Sequence, residues 1–406
     1  MRYTIGQLAE IIDGDRGKNY PKQDEFYPQG YCLFLNTGNV TKEGLIFEEN
    51  QFIMKEKDEA LRKGKLKRGD IVYTTRGTVG NAGYYNSSVP YENVRINSGM
   101  VILRSNGEIV DARFLYQILK SEYYRPYFKQ YCTGSAQPQL PIKNFSQIYL
   151  NVPDIKTQHR IADILSVYDD LIENNQKQIK LLEEAAQRFY KEWFVDWRFP
   201  GHENTKIVDG VPEGWQYEKL GDLVKTTSGG TPSRRKSEYY VNGNIRWIKT
   251  KELNDRFIFE TEEHITEDAV KNSSAKVLPE GALIVAMYGA TIGKIGITAA
   301  EMACNQACCA FISFDDMISK EYLYCWLMDN REYLVSQGKG AAQSNLSQEM
   351  IRNFSLLCPD KKVIKNFTEI VTTMLENKRV LENKILMLSK ARDDLLPKLM
   401  SGEVEV

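Results

Sequence analysis

The stretch "GSAQPQL" at 134–140 returns as "GAAQSNL" at 340–346, a shift of 206 residues. The same shift carries Leu140 to Leu346, Leu150 to Leu356 and Pro153 to Pro359. Upstream, "GDIVYTTRGTVG" (69–80) resembles "GALIVAMYGATIG" (281–293), with one residue inserted in the second copy. A repeat this long is a module rather than a solenoid unit, so the chain reads as module, helix, linker, module, helix. Its 406 residues exceed what one hydrophobic core usually serves, which agrees with two modules.

Each module carries strand-like runs, "DIVYTT" and "GMVILR" in the first, "ALIVAMY" and "CCAFISF" in the second. Helical patterns follow, as in "DARFLYQILKSEYYRPYF" and "EYLYCWLMDNREYLV", so the modules are expected to be α+β. Between the copies lies "RFPGHENTKIVDGVPEGW", whose proline and glycine in a polar context mark a boundary.

After the first module runs a stripe: Ile161, Leu165, Tyr168, Ile172, Asn175, Ile179, Leu182, Ala186, Phe189 and Trp193. The spacing alternates four and three, a heptad pattern. A helix over about 158–194 would be roughly 55 Å long. The 206 shift yields a second stripe through Phe367, Val371, Met374, Lys378, Leu381, Ile385, Leu388, Arg392, Leu395 and Leu399. Two matching helices predict an antiparallel coiled-coil seam with approximate two-fold symmetry. Lys378 and Arg392 interrupt the second stripe, and the Asn175 amide is expected to meet such cations and fix register. Pro397 and Gly402 predict fraying near the end of the second helix.

Several chemistries find no support. His159, His202 and His264 stand apart from one another and from cysteine, so zinc spacing fails. Cys304, Cys308 and Cys309 have no matching pair elsewhere and read as buried strand thiols. "YGATIGKIG" has three residues between its first glycines where a phosphate loop needs four, and Ile295 follows Lys294 where Ser or Thr is needed. No GxSxG elbow and no strand-linked GxGxxG occurs. No apolar run is long enough for a membrane span, the opening "MRYTIGQLAE" is not expected to be a secretory signal, and seven unframed cysteines fit a reducing compartment.

The modules do offer basic, aromatic and amide residues near expected turns. The net charge of −1 excludes a chain that coats DNA nonspecifically but leaves room for local patches. Residues 1–150 carry 20 Lys+Arg against 16 Asp+Glu; residues 201–357 carry 17 against 21. In the first module the candidate DNA contacts are Lys65, Lys67 and Arg68 in "LRKGKLKRGD", then Thr75, Arg76 and Asn81 in "TTRGTVGN", then Gln137 and Gln139. In the second they are Arg234, Arg235 and Lys236 beside tyrosines, Arg246, Lys249, Thr250 and Lys251 in "IRWIKTKEL", Tyr288, Lys294, Gln343 and Asn345. Arg, Lys, Asn and Gln can read base edges, and the cations neutralise phosphates. An adaptor whose coiled coil is the function and whose modules bind protein is the competing reading.

"QHRIADILSVYDDLIENN" (158–175) after "NVPD", the junction "KEWFVDWRFPG" with "VPEGWQYEKLGDL", and "SGGTPSRRKSEYYVNGNIRWIKTKEL" resemble the specificity subunits of type I restriction–modification systems. "YGATIGKIGI", "GAAQSNLS" and "LLPKLMSGEV" extend the resemblance over nearly the whole chain. The first module departs from it, lacking a clear Gly-Gly-Thr-Pro loop and an opening Trp. The resemblance implies two target-recognition domains (1–153 and 215–359) held apart by long helices (154–197 and 360–406), with a linker at 198–214. It implies a non-catalytic cytoplasmic subunit in which each domain reads one half of a split double-stranded DNA site. Two modification subunits would bring S-adenosylmethionine and methylate adenine. Restriction subunits would bring ATP- and Mg-dependent translocation and cleavage.

Overall fold

In a computed structural model the described residues are 1–134, 137–338 and 345–405. The fold is α+β, one plan used twice. The chain divides into two compact units, Met1–Ile172 with Met387–Val406, and Glu173–Leu386.

The first unit is built on an antiparallel sheet in the order Ala9–Asp13, Met100–Ser105, Ile71–Thr74, Ala82–Tyr84. Side chains alternate between its faces. Ile71, Tyr73, Val101 and Leu103 pack into a core with helix Ala112–Lys120. Val72, Met100 and Ile102 pack into another with strands Cys32–Leu35 and Val94–Ile96, which pair in parallel. Both faces are covered, which is why these strands read as unbroken apolar runs.

The second unit repeats this. Its sheet runs Val224–Ser228, Cys308–Phe314, Leu283–Ala286, Ile295–Thr298, Arg256–Ile258. Leu283, Val285, Cys309 and Phe311 face helix Lys320–Asp329; Ile284, Ala286, Cys308 and Ala310 face the opposite core. Strand Ile245–Ile248 pairs in parallel with Met302–Cys304, matching the parallel pair of the first unit.

The central helix spans Ile155–Tyr190 and continues as a π turn to Val195. The C-terminal helix spans Lys361–Ser401. Each starts after a Pro-Asp pair whose carboxylate caps free N–H groups: Asp154 accepts from Lys156 and Thr157 at 3.0 and 3.1 Å, Asp360 from Lys362 at 2.8 Å. The expected fraying near Pro397 does not occur. Leu396 and Leu399 are buried in the first core, which holds the last turn in place, and Gly402, with φ of 76°, ends the helix.

Within each unit the two helices run antiparallel. In the first, Ile161 and Leu165 share a core with Leu399 and Leu396, and Asp169 pairs with Arg392 at 2.8 Å. In the second, Glu183 pairs with Lys378 at 2.6 Å and Trp193 meets Phe367 with ring centroids 6.0 Å apart. Ile172, Asn175, Ile179, Val371 and Leu381 are buried, whereas Tyr168, Leu182, Ile385 and Leu388 are half-buried. The stripe cations find carboxylates, Asp169 and Glu183, rather than the Asn175 amide expected from the sequence. An amide satisfies a buried cation less well than an opposite charge does.

Residues 198–214, expected as a linker, hold a hairpin of Ile207–Val208 with Val211–Pro212. Asp209 and Gly210 at its tip both have positive φ, the Asp-Gly signature of a tight hairpin turn. Trp215 then packs on Phe199 and Phe194.

Candidate nucleic-acid interface

The two units present the same surface arrangement. In the first, the turn after Ile71–Thr74 is held by the Gly99 carbonyl, which accepts from Thr75 and Arg76 N–H at 2.9 and 3.1 Å. Leu140 N–H donates to the Thr75 carbonyl at 2.9 Å, and Arg76 bridges to Gln139. In the second, the Ala307 carbonyl accepts from Met287 N–H at 2.8 Å, Leu346 N–H donates to the Met287 carbonyl at 2.9 Å, and Tyr288 bridges to Asn345. Arg76, Gln137 and Gln139 are exposed in the first unit; Tyr288 and Asn345 are exposed in the second. Gln343 lies outside the described residues.

Other candidates from the same segments hold the turns instead. Thr75 is buried and its hydroxyl donates to the Gly99 carbonyl at 3.1 Å. Asn81 is buried and its amide donates to the Val40 carbonyl at 2.9 Å. Lys294 is tied to Asp255 at 2.8 Å. Thr250 opens a short 3-10 turn and is half-buried.

The basic runs are largely neutralised within the chain. Arg68 donates to the carbonyls of Asn86, Val89 and Tyr91 and stacks 4.2 Å above the Tyr85 ring. Lys65 pairs with Asp58, which Arg95 also engages from the buried side. Of that trio only Lys67 has an exposed side chain with neither an ion pair nor a hydrogen bond among the described residues. In the second unit Arg234 pairs with Glu263 at 2.6 Å and lies 4.4 Å over Tyr240. Arg246 forms a bidentate pair with Glu260, Lys249 meets Glu262 and Glu263, and Lys251 meets Glu262. The hydrogen bonds from Arg234 and Lys249 hold the Glu263 carboxyl below the usual carboxylate range. Lys236 donates to the Tyr239 hydroxyl at 2.9 Å, and Arg235 is exposed without a partner among the described residues.

The structure also shows what the sequence reading passed over. Asn97 and Ser98 lie beside Gly99 in the first unit, and Gln306 lies beside Ala307 in the second, where it meets the Thr231 hydroxyl. A shift of 208 relates Asn97 to Asn305 and Ser98 to Gln306, a repeat signal hidden by the different flanking residues. The missing glycine loop of the first module is "IDGD". A Cβ on Gly14 would sit 2.3 Å from the Asn97 carbonyl, as one on Gly229 would sit 1.9 Å from that of Cys304. Both positions require glycine because backbone passes directly over backbone.

Among the described residues no helix is long and apolar enough to cross a membrane. Two stretches, 1–184 and 212–387, match the family model described as type I restriction modification DNA specificity domain. The chain is 27% identical to the type I restriction enzyme HindI specificity subunit of Haemophilus influenzae, over 98% of this chain and all of that one. It is also 27% identical to the MjaIX specificity subunit of Methanocaldococcus jannaschii, over 86% of this chain and 81% of that one. The fold is similar to a solved S subunit of a type I restriction–modification system from M. genitalium: TM-score 0.55 at 15% identity, covering 98% and 95% of the two chains.

Proposed function

The chain belongs to the type I restriction modification DNA specificity family, and from that premise we propose that each of its two units reads one half of a split double-stranded DNA site. The observation that carries this reading is the doubled turn: Arg76 with Gln139, and Tyr288 with Asn345, each set on the same backbone hydrogen bonds. Arg and Gln, or Tyr and Asn, supply donors and acceptors that can address base edges, on a backbone stiff enough to keep them aimed. The exposed cations Lys67 and Arg235 contact phosphate without reading sequence.

The chain acts in the cytoplasm without catalysis of its own. Two modification subunits supply S-adenosylmethionine and methylate adenine in the site. Restriction subunits supply ATP- and Mg-dependent translocation and cleavage. The test is DNA binding by the chain together with its modification subunit. A split site should be bound in preference to a scrambled one, and the affinity should fall steeply with added salt as counterion release weakens. Equal binding to scrambled DNA at every salt concentration contradicts the reading.

A further inference from the structure

Lys378 on the C-terminal helix is fully buried, and the 206 shift places Ile172 at its counterpart. Its Nζ donates to the Asp255 carbonyl at 2.6 Å and the Tyr324 hydroxyl at 3.1 Å, and lies 2.6 Å from Glu183. One turn on, Glu382 accepts from Phe257 N–H at 2.8 Å. The helix therefore grips both ends of the dipeptide step that opens the edge strand Arg256–Ile258. An apolar side chain at 378 would fill the seam with no charge to desolvate, so stability alone does not call for lysine.

What the lysine holds is an unusual residue. Asp255 has φ of 69°, a left-handed conformation uncommon outside glycine, here inside a network of hydrogen bonds. Its carboxylate accepts from Lys294 at 2.8 Å, from Ile295 N–H at 3.1 Å and from Arg331. Arg331 in turn donates to the Gly293 carbonyl at 3.1 Å. Gly293 and Lys294 close the turn that begins at Tyr288.

We propose that Lys378 is a positioning residue for the second recognition turn: from the helix seam it fixes Asp255, and Asp255 fixes the closing end of the Tyr288 turn. The consequence for DNA rests on the function proposed above; the consequence for the turn does not. The first unit lacks this tie, so the effect is confined to the second half-site.

Two readouts on the full chain test it. In Lys378→Met, amide exchange at Gly293 and Ile295 should quicken by about tenfold or more, the loss expected for a charge-assisted hydrogen bond. The turn at 75–81 should exchange as in the parent, and Lys378→Arg should restore most of the protection. Ile179→Ala, which cuts a cavity in the same seam, should lower the melting temperature without this local change. With the modification subunit present, Lys378→Met should lose about tenfold of its preference for a correct over a mutated second half-site, and none at the first. If Lys378→Met does not fold, Asp255→Asn cuts the same path and should give the same pattern. Parental exchange at Gly293 and Ile295 in a destabilised Lys378→Met, or in Asp255→Asn, overturns the proposal. Faster exchange in a complex whose parent never distinguished DNA sequences would sustain the tie and reject the DNA reading instead.

Discussion

Side chains adjacent in sequence divide between holding the recognition turn and facing outward. Asn81→Ala removes the donor to the buried Val40 carbonyl and should cost about 1–3 kcal/mol of stability in denaturant unfolding. Arg76→Ala should leave stability within about 0.5 kcal/mol and weaken binding to the first half-site. If Asn81→Ala unfolds at the parental midpoint, its bond to Val40 is not a structural one. Burial makes Glu382 a second probe, raising its pKa to about 7 against the pull of Lys378 and Phe257 N–H. The folded state then binds more protons than the unfolded one between the ordinary glutamate value and about 7. Stability contributed here is present at the acid end of that window and is lost as pH rises through it. Glu382→Gln should flatten that part of a stability-against-pH curve; an unchanged slope means that Glu382 titrates normally. The sequence displayed every one of these residues but not their partners. Arg246 looked free because Glu260 is far along the chain; the pairing of Ile245–Ile248 with His264–Ile265 folds the acidic run back onto it.

At the level of elements, the helices were legible in the sequence and their charge pairing was not. Periodicity gave both stripes, since apolar spacing is a local property. The partner of each seam cation depends on which residues meet across the seam, and no local pattern encodes that. The central helix supplies the acids, Asp169 and Glu183, and the C-terminal helix the cations, Arg392 and Lys378. Asp169 is also held by Lys120 and Gln117 of its own half. A fragment of residues 1–200 can therefore pair with its own copy without orphaning a buried cation. A fragment of 205–406 would leave Lys378 with Glu382 and Arg392 with Asp393 but remove Glu183 from the one and Asp169 from the other, which weakens its pairing. Sedimentation should show the first fragment dimeric, with the modification subunit if needed, and the second monomeric. The reverse order would remove the charge pairing as the reason for heterotypic assembly. Asn175→Leu should raise the melting temperature by a few degrees, because the seam gains an apolar contact at a buried position.

For the molecule as a whole, the repeat announced two modules, but nothing in the sequence showed that Met387–Val406 belongs with the first. The second stripe is continuous through that point, so no breaker or change of period marks it. Both helices contribute residues to both units, and we propose that helix length sets the gap between half-sites. Seven residues added to each helix, near Lys177 and Asn383, preserve the apolar face and add about 10 Å, or roughly three base pairs. The half-sites should be unchanged and the unread gap longer. The most direct test of the central claim is to map methylated adenines across DNA from cells carrying the chain with its modification subunit, in the parent and in Arg76→Ala and Tyr288→Ala. One split motif is expected in the parent, relaxed only in its first half by Arg76→Ala and only in its second half by Tyr288→Ala. An unsplit motif, or relaxation of the same half by both substitutions, would contradict it.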